Sequence, residues 1–560
     1  LAEADLVISG RIASLHGRSG MGWVERLAVS GERIIASGSA SDVEPLVGPR
    51  TRRLTLGPDE AVIPGLTDAH LHLEDVALAG DRVDLAGVDL ETAVGRIRDA
   101  DRGLGDPDAW LEGDGWDADR WGAWPGASLL EATAPGRRAA FWAHDRHALW
   151  VSERALVEAG VDAGTSDPPG GLIRRDPSGR PSGILHETAA GLVLARIPRA
   201  SVERRIAAVA RLLPRLLAVG LVAAHDPGSL IAEADLTAQA VYRTLDERGW
   251  LAIDVHASVR REGLPAAIAA GMRTGDLLAP DLPAGGVRAR FGWLKLFADG
   301  TLGSRTAAML APFQAGPDGA ADEGRGLFQI DPGELAALVA EAAAAGIVAQ
   351  VHAIGDAAVR ATLDALGSTG GGSRPAPRVE HAQLVDPSDL GRFRSLGVVA
   401  SVQPVHLGTD APAARAAWGD RADRAYPYRS IMEAGGDLAF GTDAPVEPWD
   451  PWPGLEQAVT RRAAWWPGDR PTLGPSEGID LATALRAATI GPALAAGLAD
   501  RGRLVAGQRA DLLVVPAGVL ATPVVPGGPL GLARPRLVLV GGRVVAEAGA
   551  TPSQPGAAPS

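Results

Sequence analysis

Residues 61–73 read AVIPGLTDAHLHL: an apolar run, a Pro-Gly step, then two histidines one residue apart. A short apolar run bounded by turn residues fits a strand buried on both faces, as parallel sheets require. Side chains along a strand repeat every two residues, so His70 and His72 project to the same side. Whether this is one strand of a larger parallel array depends on the rest of the chain.

Seven more runs of the same kind occur. With the first they are Ala61–Leu66, Leu221–His225, Ala252–Val259, Gly292–Phe297, Ile347–His352, Pro377–His381, Val398–Val402 and Leu438–Gly441. Amphipathic helical patterns lie between them, such as VERRIAAVARLLPRLLAVG at 202–220 and GELAALVAEAAAAG at 333–346. Strands alternating with helices build parallel α/β architectures, and eight such units make a (β/α)8 TIM-type barrel.

The flanks have another texture. DLVISGRIAS and RLAVSGERIIASG near the start, and RADLLVVPAG and RLVLVGGRVVAEAG near the end, are short β segments with glycine turns. They predict one β-sandwich built from both termini, residues 1–58 and 485–549, around a barrel at 59–484. About 110–187 breaks the βα rhythm and is rich in Gly, Pro, Asp and Trp, as in WLEGDGWDADRWGAWPG. It reads as a subdomain inserted after the first barrel strand, over the barrel mouth. Residues 550–560 read as a disordered tail.

Composition excludes several roles. The 560 residues carry a formal net charge of −14, with 54 Lys and Arg against 68 Asp and Glu. Nucleic acid and anionic membrane surfaces call for concentrated positive charge, so neither is an expected partner. No run of some 20 apolar residues predicts a spanning helix. The first residues show neither a basic nor a long apolar leader segment; the expected location is the cytoplasm, and Leu1 in place of Met is compatible with a trimmed leader. There is no cysteine, which removes disulfide and thiolate chemistry and leaves imidazole and carboxylate as the ordinary metal donors. Of the 54 Lys and Arg residues one alone is lysine, Lys295.

Active sites of such barrels lie at the C-terminal ends of the strands. Those ends carry His70 and His72, Lys295 followed by Asp299-Gly300, His352, His381 preceded by Glu380, and Asp443 in GTDAP. His225 ends the second run. Four of the eleven histidines and one aspartate thus converge on one predicted mouth, a donor set that suits zinc or a similar divalent ion.

The motifs PGLTDAHLHL, GWLKLFADGTLGSRTAA, VHAIGDAAV, RVEHAQL, SVQPVH and FGTDAPVEP occur in an order that resembles the amidohydrolase superfamily, in the branch of N-substituted formamide deformylases and exoenzyme-regulatory-type amidohydrolases. RGRLVAGQRADLLVV resembles the strand pair closing that family's β-sandwich, and TIGPA departs from the Asn-Pro of many relatives. The resemblance implies a metal-dependent hydrolase of a non-peptide C–N bond. It implies one or two divalent ions on His70, His72, His352, His381 and Asp443, with Lys295 carbamylated as a bridge if there are two. Arginine cannot take that role because its guanidinium stays protonated. Asp443 is expected to be the catalytic proton shuttle. Trp116, His147, Asp299, Arg305 and His406 lie in family-like segments near the mouth and are candidate substrate contacts. The expected partners are a small-molecule substrate, an acyclic N-acyl or N-formyl amine, and a second copy in a homodimer. A deaminase or cyclic-amide hydrolase on the same scaffold, and a non-catalytic binding or regulatory protein retaining the barrel, remain alternatives.

Overall fold

The computed structural model describes residues 3–549, apart from 81, 144–147, 169–170, 188, 230–232, 304, 315–323 and 370–373. They divide into two compact units, one made of Leu1–Val76 and Val209–Ser560, the other of Ala77–Ala208. The tail at 550–560 and His147 lie outside the described residues.

In the first unit, eight parallel strands run in chain order: Leu66–Asp68, Leu221–Asp226, Asp254–Arg260, Ala289–Phe297, Ala349–Ala353, Arg378–His381, Val399–Val402 and Asp437–Phe440. Each pairs in parallel with the next. The Ala69 amide donates to Phe440 O at 2.9 Å, joining the last strand to the end of the first. This is a TIM-type barrel. Helices supply the crossovers; Pro332–Ala344 starts where Asp331 accepts from the Gly333 amide, with Pro332 preset at the first helical position.

The first apolar run splits in two. Glu60–Pro64 pairs antiparallel with Leu512–Pro516, outside the barrel, and the barrel strand begins at Leu66. The switch is at Gly65: its amide donates to Asp511 O, whereas the Leu66 amide donates to Gly220 O, both at 3.0 Å. A Cβ at Gly65 would come 2.6 Å from Val222 Cγ2, so only glycine fits between the two sheets here.

Strands from both chain ends share one eight-stranded sheet. Its order is Arg543–Glu547, Leu537–Val540, Leu512–Pro516, Glu60–Pro64, Leu6–Ala13, Trp23–Ser30 and Arg33–Gly38, with Arg52–Thr55 also on Leu6–Ala13. Ile8, Ile12, Leu27, Val62, Leu512, Val514 and Leu539 form its apolar core. The boundary expected at 485 falls inside helix Leu481–Ala487, and Ala495 and Ala496 pack with the barrel residues Ala69, Trp293 and Ala439.

The second unit is wider than the stretch marked by composition, running from Ala77 to Ala208 rather than from about 110 to 187. It holds a six-stranded sheet ordered Gly171–Arg175, Pro181–Glu187, Ala148–Val151, Arg138–Ala143, Trp110–Trp116 and Val83–Asp84. Trp116, Trp150, Phe141, Leu130 and Ile97 fill its core. Among the described residues no helix is long and apolar enough to cross a membrane.

Candidate metal centre

The His-X-His segment is fixed by pairing across the barrel seam. The Asp443 amide donates to His70 O at 2.7 Å and the His72 amide to Ala444 O at 3.0 Å. Beneath them, the buried Asp68 carboxylate accepts from the His70 amide at 2.9 Å and from the Thr442 amide and hydroxyl at 3.1 and 2.6 Å. Burial raises the Asp68 pKa to about 7 despite those bonds. The first and eighth strand ends are thereby locked together, and the Asp443 carboxylate comes to rest between imidazoles.

Asp443 Oδ1 lies 3.3 Å from both His70 Nε2 and His72 Nε2, and its Oδ2 lies 3.1 Å from His406 Nε2. The donor atoms of His70, His72 and Asp443 lie within 4.8 Å of one another, as do those of His381, His406 and Asp443, and all five residues are buried. Rings of His70 and His381 are 5.2 Å apart, and those of His381 and His352 are 4.5 Å apart. His352 engages Gly300 O through Nε2 at 3.0 Å, which leaves Nδ1 as its donor atom.

The outer nitrogens of the His-X-His pair each have an acceptor. His70 Nδ1 lies 2.5 Å from Glu380 Oε2, and His72 Nδ1 lies 2.6 Å from Gly228 O. Such acceptors fix the tautomer and turn Nε2 towards a cation. The buried atoms His70 Nε2 and His381 Nδ1 have no hydrogen-bond partner. Unpartnered buried nitrogens are costly unless something ligates them, so the residues fit a divalent cation. Burial lowers the pKa of His70 to about 4 and of His352 to about 3, and holds His381 well below the ordinary value, so these rings are neutral. Burial alone would raise Asp443, but His70 and the hydrogen bonds from His406 and His72 keep it well below the carboxylate range.

Two strand-end residues adopt backbone that L side chains rarely take: His381 has φ +71° and Asp443 has φ +62°. Glu380 and His381 are consecutive, and extended alternation would send them to opposite faces. The left-handed turn at His381 lets Glu380 support His70 while His381 also faces the centre. Glu380 is in turn held by Arg378 Nε at 2.7 Å. The same guanidinium binds Ala69 O at 2.5 Å, Ser401 Oγ at 3.1 Å and His225 Nδ1 at 2.9 Å, and lies 4.6 Å from the Trp293 ring.

Lys295 is 1% exposed, and burial lowers its pKa to about 8. Its Nζ lies 4.8 Å from the Phe297 ring centroid, and Phe297 stacks beside His352 at 5.2 Å. Lysine at this depth is within reach of its neutral, nucleophilic form.

The other expected contacts are distributed differently. His406 joins the centre, held by Asp443 and, through Nδ1, by Glu447 at 3.4 Å. Asp299 lies beside His352 at 3.6 Å and accepts from the amides of Ala308, Ile354 and Gly355, so it organises backbone. Arg305 donates to Gln314 O at 2.9 Å and lies over Phe313. Trp116 is 1% exposed in the core of the Ala77–Ala208 unit and donates to Phe141 O at 2.8 Å; packing is its role there. The supports that sequence reasoning left without a role are Glu380, Asp68, Gly228 and Glu447. Glu380 and Glu447 stand inside RVEHAQL and FGTDAPVEP, next to or four residues from a candidate ligand, and that adjacency was the available signal.

The model of the amidohydrolase family matches residues 59–546. The protein LONG AFTER FAR-RED 3 of Arabidopsis thaliana is 31% identical over 91% of this chain and 86% of its own length. An N-substituted formamide deformylase of Arthrobacter pascens is 27% identical over 91% of this chain and 93% of its own. The crystal structure of an uncharacterized metal-dependent hydrolase from Pyrococcus horikoshii superposes with a TM-score of 0.73 at 26% identity, covering 91% of this chain and 96% of that one. A centre of buried imidazoles around an ionised aspartate, on a fold and sequence so matched, places the chain in the amidohydrolase family, as a metal-dependent hydrolase of carbon–nitrogen bonds other than peptide bonds.

Proposed function

We propose that the chain hydrolyses an acyclic amide, an N-acyl or N-formyl amine, with Asp443 as the proton shuttle. The observation that carries this reading is the Asp443 carboxylate, shared by His70 and His72 at 3.3 Å and by His406 at 3.1 Å. The substrate class draws support from the relative named for N-substituted formamide deformylation.

His70, His72 and Asp443 would hold one divalent ion, and His352 and His381 a second. Lys295, carbamylated by carbon dioxide with loss of a proton, would bridge the two. The nitrogen and carboxylate donors suit zinc. A cation so held supplies Lewis acidity, which acidifies water and polarises a carbonyl. Asp443 takes the proton of the attacking water and returns it to the departing nitrogen, so that the amine leaves neutral. His406, fixed between Asp443 and Glu447, steers the Asp443 oxygen that carries the proton. Glu380 and Gly228 hold the His70 and His72 rings in the orientation that aims Nε2 inward.

The test is metal analysis of the purified protein together with a screen of N-formyl and N-acyl amines on wild type and Asp443→Asn. Asp443→Asn is expected to lose about 10²- to 10⁴-fold in kcat while keeping most of its metal. Full activity in that variant would remove Asp443 from the role. Two ions per chain with a carbamate at Lys295 are expected; one ion with an unmodified lysine and turnover of aminated rings would favour the deaminase alternative.

A further inference from the structure

Arg260 ends the third barrel strand, on the face of the barrel that carries the centre, and pairs in register with Lys295. Its stem lies against Gly228, where a Cβ would meet Arg260 Cγ at 3.3 Å. Gly228 is the residue whose carbonyl holds His72. The Arg260 guanidinium then reaches the end of the fourth strand, with Cζ 4.5 Å from the Phe297 ring, the same ring that Lys295 Nζ approaches at 4.8 Å and His352 at 5.2 Å. Arg260 thus sits between the support of one candidate ligand and the neighbour of two others.

Among the described residues the protein gives this guanidinium little. Of its five N–H donors one is spent there, Nη1 on Ser229 O at 2.7 Å. No described carboxylate forms an ion pair with it; Asp75 and Glu262 act on it from further away. Three fully buried arginines are better supplied. Arg378 is paired with Glu380 at 2.7 Å and Arg509 with Asp254 at 2.8 Å, while Arg461 spends its donors on the carbonyls of Leu473, Tyr426 and Ala425. With no counter-ion among the described residues, the planar fork of this half-buried guanidinium is open to a carboxylate, whose geometry it matches.

We infer that Arg260 recognises an anionic group of the substrate, so that the amide cleaved at this centre carries a carboxylate. Phe297 lies against the guanidinium, Ser229 O fixes one edge, and among the described residues the remaining N–H groups are left to the ligand. This inference rests on the hydrolase reading of the same site and narrows it from amides at large to anionic ones.

The experiment compares matched pairs, N-formyl and N-acetyl amino acids against their neutral primary amides, on wild type, Arg260→Gln and Arg260→Lys, each checked for melting temperature and metal content. Wild type is expected to prefer the carboxylate member. Arg260→Gln is expected to cut that preference by about 10- to 100-fold, chiefly through KM, with Arg260→Lys recovering part of it. No preference in wild type, or an equal loss on both members in Arg260→Gln, overturns the inference. If no member of either series is hydrolysed, the failure belongs to the amide-hydrolase reading, and the anion subsite is read by thermal shift with the same N-acyl amino acids and with inorganic phosphate. Stabilisation of wild type by the carboxylates and not of Arg260→Gln upholds the subsite; shifts with phosphate alone, or none, reject it.

Discussion

Glu380 shows how much of the candidate centre is held by residues outside its donor set. Its Oε2 accepts from His70 Nδ1 at 2.5 Å, while Arg378 keeps the carboxylate ionised, its pKa lowered to about 2 against the opposing effect of burial. His70 and Glu380 are 310 positions apart, so no local pattern could have paired them. His70, His72, His352, His381 and Asp443 could be proposed from sequence because a strand-end rule needs only short-range periodicity. Their acceptors were not, because long-range folding supplies them. The expected consequence is separable from folding: Glu380→Gln keeps the shape of the side chain but removes the charged acceptor. Metal affinity, read by competition with a chromophoric chelator, should fall about 10- to 100-fold while the melting curve of the metal-free protein moves little. Unchanged affinity would show that His70 needs no such orientation.

At the scale of elements, the apolar runs located all eight barrel strands, seven directly and one in disguise. AVIPGL looks continuous, yet its first four residues belong to the terminal-sheet strand Glu60–Pro64 and the barrel strand starts past Gly65. Hydrophobicity cannot register a change of sheet, because both halves are buried in either sheet. What marks the change is Gly65, whose missing side chain lets the chain pass Val222. Gly65→Ala should therefore destabilise by about 1–3 kcal/mol through overpacking. Val222→Ala in the same chain should recover part of that loss by opening the space. Denaturant midpoints of the two single variants and the double variant give the coupling, and strictly additive midpoints would disprove a steric conflict at this junction.

Over the whole molecule, the ends of the chain and the barrel are joined by buried charge as well as by apolar packing. Asp254 opens the third barrel strand and accepts from the Arg288 amide at 2.8 Å and from Arg509 Nη1 at 2.8 Å. Arg501 approaches the same carboxylate at 3.5 Å. Both arginines also face Asp511, Arg509 at 3.3 Å and Arg501 at 3.2 Å, and Asp511 leads directly into the terminal strand Leu512–Pro516. Its backbone carbonyl receives the Gly65 amide, so the cluster sits where the chain changes sheets. None of this could be read from composition, where these residues are four charges among many. Breaking one partner of such a cluster leaves the others buried without compensation, at a cost of about 3–5 kcal/mol. Asp254→Ala should lower the unfolding free energy by that order, and so should Arg509→Ala. The double variant should lose much less than the two losses added together, since the second deletion removes a charge already stranded. A double-mutant cycle with a coupling below about 0.5 kcal/mol would mean that the charges act independently and that apolar packing alone unites the terminal sheet with the barrel.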